Sequence, residues 1–189
     1  MTQIKQMTTD IFLKPTLFLD RDGIVNERIM DGYVTSPEEL VIRKDFIAAM
    51  KKLVPLFELI VIVTNQQGIA KGLMSEEDLE VVHQEMLEKL RKEGIFIDKV
   101  YHCPHREGTE CGCRKPSVGM AEKAMEDFPS IDFQQSVMIG DSLSDILFGN
   151  KMGMTTVLIS DSIPRPEIGS PMMPDFYFTT IQKFADTIS

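Results

Sequence analysis

The run Thr16–Gly23, TLFLDRDG, decides how this chain is read. Thr16 to Asp20 is a short apolar segment ending in an acid, and it reads as a buried strand. Residues at i and i+2 of extended chain point the same way, so Asp20 and Asp22 would project together beyond the strand end. Gly23 lets the backbone turn away sharply. An isolated D-x-D-G is more often a solvated turn. Here two close carboxylates follow an apolar strand, and they repel unless one is protonated or a cation lies between them.

Working outward, Asp45–Phe57 has apolar residues at helical spacing, and Leu59–Thr64 (LIVIVT) is a β-branched run read as a second strand. Ser75–Glu93 reads as a long amphipathic helix. Ser75 and Asp78 form a capping-box pattern with Asp in place of Glu, and Gly94 follows as a stop. Lys99–His102 is a short strand, Ser117–Phe128 a helix, Ser136–Ile139 a strand and Leu143–Met152 a helix. Thr155–Ile159 and Phe176–Phe178 read as strands and Ile181–Ile188 as a last helix. Strands separated by helical crossovers predict an α/β fold: three Rossmann-like layers around a mostly parallel sheet, in a single domain over 1–189. In such sheets ligands sit beyond the carboxyl ends of the strands.

Polar segments follow the predicted strands. Thr64-Asn65-Gln66-Gln67-Gly68 offers the Thr64 hydroxyl, the Asn65 amide and backbone N–H groups to phosphate oxygens. In Arg114-Lys115-Pro116, Lys115 can neutralise a phosphate and a nucleophile together, and Arg114 can add a planar fork to a second anionic part of a substrate. Asp141, at the end of the strand SVMI, can reach a metal. Mg²⁺ takes near-octahedral oxygen coordination, and Asp20, Asp141 and the backbone carbonyl of Asp22 would supply three ligands. Asp145, one helical turn on, suits either support of that site or complementation of a helix N-terminus. With the metal and phosphate in place, Asp20 can attack phosphorus, and Asp22 can hand a proton to the leaving alkoxide and take one from water.

The three cysteines, Cys103, Cys111 and Cys113, fall within one short stretch that also holds His105. C-x-H-x5-C-x-C can close a tetrahedral Zn²⁺ shell with no open position, which marks a structural site. The loop, about 102–114, carries charge and little apolar mass, so it needs a staple. His102 would point the other way in extended chain, and His83 reads as an ordinary helix position. Metal binding rather than disulfides fits a reducing compartment.

With 189 residues, 43% of them hydrophobic and 26% charged, the chain has the composition of an ordinary soluble globular protein. The net charge of -9 opposes nucleic-acid binding. No apolar run is long enough to span a bilayer, and Met1–Lys14 has neither a secretory nor a transit pattern, so a cytoplasmic, membrane-free monomer is expected.

Asp20/Asp22, Thr64, Lys115 and Asp141, in this order and each after a strand, resemble the four motifs of the haloacid-dehalogenase superfamily of phosphatases, over about Thr16 to Ile159. The resemblance implies a phospho-aspartyl intermediate on Asp20 with Asp22 as general acid/base. The Cys/His loop is similar to that of the branch holding the heptose 1,7-bisphosphate 7-phosphatases and the histidinol-phosphatase domain. Asp31-Gly32-Tyr33-Val34, TNQQGIAKG from Thr64 and RKPSVGM from Arg114 resemble the heptose enzymes, implying a sugar bisphosphate substrate and a place in surface-polysaccharide precursor synthesis. The five residues between His105 and Cys111 also occur in the histidinol type, and Ser142 stands where heptose enzymes often carry Lys. Both substrates stay open at this point, as does a zinc-stapled binding module without catalysis. By the same resemblance Met30, Asp31, Gly32, Tyr33, Gln66, Gln67 and Arg114 would contact the sugar and its anomeric phosphate. No large insertion separates the motifs, so no large cap domain is expected.

Overall fold

Six strands form one sheet in the computed structural model, which describes residues 15–188. The stretch Met1–Lys14, read above for leader patterns, lies outside the described residues. The strands are β1 (Thr16–Leu19), β2 (Leu59–Asn65), β3 (Lys99–Cys103), β4 (Val137–Gly140), β5 (Thr155–Ile159) and β6 (Phe176–Phe178). Their order is β3-β2-β1-β4-β5-β6, and every neighbouring pair is parallel. The chain leaves β1 toward one edge, reaches β3, then crosses back to lay β4 on the other side of β1. That reversal makes the gap between the carboxyl ends of β1 and β4 the switch point where such sheets bind ligands.

The helices are α1 (Lys44–Leu53), α2 (Glu76–Lys92), α3 (Gly119–Asp127), α4 (Leu143–Met152) and α5 (Ile181–Ile188). Alternation along the strands sorts them into two layers. Leu17, Leu19, Ile60 and Ile62 point to the face covered by Phe46 and Met50 of α1, Val82 and Met86 of α2, and Ile181 and Phe184 of α5. Phe18, Val61, Val63 and Met138 point to the opposite face, against Met120 and Ala124 of α3 and Phe148 of α4. Leu17, Phe18 and Leu19 are all fully buried, so β1 reads as an unbroken apolar run. Each such side chain contributes roughly 2–3 kcal/mol of burial.

The expected elements are present with shifted ends. The first helix stops at Leu53, and Val54–Leu56 continues as a 3-10 turn because Pro55 lacks the N–H that a further α-turn needs. The capping box of α2 forms as read, Ser75 Oγ accepting from Asp78 N and Asp78 Oδ2 from Ser75 N. Among the described residues no helix is long and apolar enough to cross a membrane. The connections between motifs hold helices, turns and the Cys/His loop and no second sheet, so no large cap covers the strand ends among the described residues.

Candidate active site

β1 delivers Asp20 directly to the switch point, where its backbone N–H donates to Ile139 O of β4 at 2.9 Å. The strand ends at Leu19, so the shared direction of Asp20 and Asp22 is not set by extended chain. Residues 21–26 instead form a tight turn, with the N–H groups of Ile24, Val25 and Asn26 all directed at Arg21 O. Both carboxylates still line one cleft of about 540 Å³ at the sheet edge.

Asp20 is buried, and its Oδ1 accepts from Lys115 Nζ at 2.7 Å. The same ammonium donates to Val63 O at 2.6 Å and forms an ion pair of 2.6 Å with Asp145 Oδ1, so two hydrogen bonds and a second carboxylate hold it beside Asp20. Burial works against the charge of Lys115, but Asp145 and Asp20 outweigh it and raise its pKa. Burial pushes Asp20 up to about 6, with Lys115 opposing and Asp145 adding to the rise.

Asp145 serves two neighbours at once. Its Oδ2 accepts from Ser142 N at 3.1 Å and Ser142 Oγ at 2.6 Å as the capping box of α4, while Oδ1 anchors Lys115. Gly140 lets it come this close, since a Cβ there would stand 2.2 Å from Asp145 Cβ.

Asp22 is fixed by a different set of groups. Arg21 Nη2 donates to Oδ1 at 2.9 Å and Oδ2 at 2.8 Å, and Arg21 Nε to Oδ1 at 3.2 Å. Asn26 Nδ2 and Gln66 Nε2 add bonds of 2.9 and 2.7 Å. Burial disfavours its charge, but Arg21 and these amides outweigh it and hold the carboxyl below the usual range. In the resting arrangement the fixed guanidinium favours the carboxylate form of Asp22.

Asp141 lies at the end of β4 with Oδ1 2.9 Å from Arg28 Nη2. Burial raises it to about 8, Asp20 adding to the rise and Arg28 opposing it. Carboxylate oxygens of Asp20, Asp141 and Asp145 all fall within 4.8 Å of one another. With Asp145 engaged by Ser142 and Lys115, Asp20 and Asp141 remain as donors. Arg28 Nη2 also lies 3.4 Å from Asp22 O, so a cationic group already contacts two of the three oxygens expected to hold Mg²⁺. A hard, oxygen-only donor set fits that ion.

The Cys/His loop converges as its spacing required. Cys103 Sγ lies 3.7 Å from Cys111 Sγ and 3.0 Å from Cys113 Sγ, and His105 Nδ1 lies 3.5 and 3.3 Å from Cys103 and Cys113. Sulfurs on one tetrahedral zinc ion stand about 3.8 Å apart, so the donors fit with modest spreading. His102 turns away to Glu76, at 2.7 Å. The loop is tied to the cleft: Gln66 N donates to Cys103 O at 2.7 Å, and Asn65 bonds both the N–H and the carbonyl of Lys115.

Of the expected substrate contacts, Asp31, Gly32, Tyr33, Thr64, Asn65, Gln67, Arg114 and Lys115 line the cleft. Met30 and Gln66 do not. Met30 is 81% exposed at the tip of its loop, where Asp31 with φ 55 turns the chain back. Gln66 is fully buried and bonds Asp22 and Thr64 Oγ1, so it orients rather than touches a ligand. Arg28, Lys71 and Glu107 also line the cleft and escaped the sequence reading; only Lys71, inside TNQQGIAKG, carried a signal. His83, read as an ordinary helix position, is buried on the inner face of α2 against Arg21. Burial, with the charges of Arg21 and His102, lowers its pKa to about 3.

An aspartate at the switch point of a doubly wound parallel sheet, paired with a buried lysine and flanked by a second and third acid, defines a class of α/β hydrolases. A family model described as HAD-hydrolase-like matches residues 112–184. The D-glycero-alpha-D-manno-heptose-1,7-bisphosphate 7-phosphatase of Campylobacter jejuni is 40% identical over 143 residues, 76% of this chain and 80% of the relative. The beta-anomer 7-phosphatase of Vibrio cholerae is 36% identical over 84% of this chain and 88% of the relative. The D,D-heptose 1,7-bisphosphate phosphatase of B. bronchiseptica, solved with magnesium and phosphate, superposes with a TM-score of 0.77 at 26% identity, covering 92% of this chain and 97% of that one. The chain belongs to the haloacid-dehalogenase-like hydrolases, in the family of the heptose-1,7-bisphosphate 7-phosphatases.

Proposed function

We propose that this protein is a phosphatase that removes the C7 phosphate of a D-glycero-D-manno-heptose 1,7-bisphosphate through a phospho-aspartyl intermediate on Asp20. The observation that carries this reading is the convergence of Asp20, Lys115 and Asp141 at the switch point, with Lys115 Nζ 2.7 Å from Asp20 Oδ1. One Asp20 oxygen attacks phosphorus as the bond to the C7 oxygen breaks, and Asp22 protonates that oxygen. Water then gives a proton to Asp22 and attacks the same phosphorus. The Asp20–phosphorus bond breaks and inorganic phosphate leaves. Asp22 rests as a carboxylate, which suits the second step. Its proton for the first step arrives with the substrate, whose negative charge raises an adjacent carboxyl.

Asp20, Asp141 and the Asp22 carbonyl would hold Mg²⁺, which supplies charge neutralisation for the spreading equatorial oxygens. Lys115 and Thr64 act on the same oxygens from the protein side. Cys103, His105, Cys111 and Cys113 would hold Zn²⁺ as a staple for the loop that ends in Arg114 and Lys115. Beyond Lys115 the cleft presents Arg28, Lys71 and Arg114, a cationic rim suited to the second phosphate. Asp31 and Glu107 also line it and can accept from sugar hydroxyls, whereas histidinol phosphate brings no second phosphate to the three cations. The relatives divide between the two anomers.

Side-by-side turnover of the α- and β-heptose bisphosphates and histidinol phosphate with Mg²⁺ tests the assignment. A heptose bisphosphate is expected to exceed histidinol phosphate by at least about 100-fold in kcat/KM, a few kcal/mol of unmatched charge. Parity of the three would refute the substrate. Wild-type rates in Asp20→Asn would refute the nucleophile.

A further inference from the structure

The reaction just described leaves one buried imidazole unused. His83 sits on the inner face of α2 at 4% exposure, in line with Leu79, Val82 and Met86. Its Nε2 lies 3.2 Å from Arg21 Nη1. A guanidinium carries donors only, so Nε2 must accept. That requirement fixes His83 as the neutral tautomer with its proton on Nδ1. Arg21 is itself fully buried, and Nε and Nη2 of its fork are committed to Asp22. Among the described residues His83 is the one acceptor bonded to Nη1. The chain of contacts runs from α2 through His83 and Arg21 to both oxygens of Asp22.

We propose that His83 is a positioning residue: by accepting from Arg21 Nη1 it sets the plane of the guanidinium that clamps Asp22 in its proton-transferring orientation. A planar fork bonded at one edge only can tilt, and Asp22 tilts with it. A helix therefore governs proton delivery without any group of its own in the cleft. The inference rests on the reading of Asp22 as the acid/base.

Leaving-group dependence separates positioning from packing. A sugar alkoxide must be protonated as it departs, whereas p-nitrophenolate leaves unassisted. His83→Leu keeps apolar volume but strands Nη1. It is expected to lower kcat on the heptose bisphosphate roughly 10- to 100-fold, with KM within about threefold, while the pre-steady-state burst of p-nitrophenol from p-nitrophenyl phosphate, which reports the first step alone, stays within about twofold. His83→Gln restores an acceptor and should recover most of the loss. If His83→Leu does not fold, His83→Asn, whose amide is too short to reach Nη1, is read the same way. An equal loss in the p-nitrophenol burst rate, or no loss on the heptose bisphosphate, would overturn the proposal. So would ¹⁵N NMR showing the His83 proton on Nε2. Asp22→Asn is the control: without leaving-group discrimination in the first step there, the Asp22 reading fails; with it there and not at His83, positioning alone fails.

Discussion

Arg28 and Asp141, 113 residues apart in the chain, meet in an ion pair of 2.9 Å between Nη2 and Oδ1, and the same nitrogen lies 3.4 Å from Asp22 O. A guanidinium thus already touches two of the oxygens proposed above to hold Mg²⁺. Arg28 is 48% exposed on its side chain, so solvent screens much of the pair's energy and its displacement is easy. Arg28→Gln is expected to tighten Mg²⁺ binding by about three- to tenfold in calorimetry without substrate, at most ~1.4 kcal/mol. Weaker binding in the variant would mean that Arg28 holds Asp141 ready instead of opposing the ion.

The two aspartates proposed to hold Mg²⁺ also predict a pH dependence. Burial raises Asp20 to about 6 and Asp141 to about 8, from an ordinary value of 3.8. Between about pH 4 and 8 the folded protein therefore binds more protons than the unfolded chain, and its stability falls as pH rises. Their contribution is fully present below about pH 4 and is lost above about pH 8. Mg²⁺ displaces those protons, so its rise in Tm should grow from pH 5 to pH 8. A metal-dependent rise that is constant across this range would contradict the two shifts.

The Cys/His loop carries no reacting group, yet Gln66 N on Cys103 O and Glu107 N on Gln67 Oε1 tie it to the cleft. Cys111→Ser/Cys113→Ser, or removal of zinc by a chelator, should raise KM and lower kcat about tenfold or more, because Arg114 and Lys115 lose their fixed approach. Mg²⁺ affinity should stay within about threefold, as Asp20 and Asp141 directly follow β1 and β4 and lie outside the loop. Full activity in the double variant would remove the loop from the site.

Gly23 adopts φ +94, and a Cβ there would stand 1.9 Å from Asp141 Oδ2. Gly23→Ala must therefore strain the turn and expel the Asp141 carboxylate together. We expect a loss of at least about 1 kcal/mol in denaturant unfolding and a larger fractional loss in Mg²⁺ affinity. Unchanged Mg²⁺ binding would show that Asp141 is not the ligand this contact implies.

The sheet was legible in the chain because buried parallel strands are short unbroken apolar runs, and LIVIVT and SVMI hardly admit another reading. Asp20 and Asp141 were legible because each directly follows such a strand. The Cys/His cluster was legible because its members lie close together along one loop, where spacing and geometry are nearly the same thing. Helix ends were less so: Pro55 converts the last turn after Leu53, a local effect that helical periodicity does not register.

Tertiary structure alone decided which groups support those motifs. His83 is one more inward residue of an amphipathic helix until α2 is laid beside the turn after β1, bringing it to Arg21 from 62 positions away. Gln66 looked like a ligand contact until the packing of its loop buried it on Asp22. Arg28 acquired a partner only when β4 was placed next to β1. A pattern along the chain encodes which face a side chain presents, and the order in which strands join the sheet decides what that face meets.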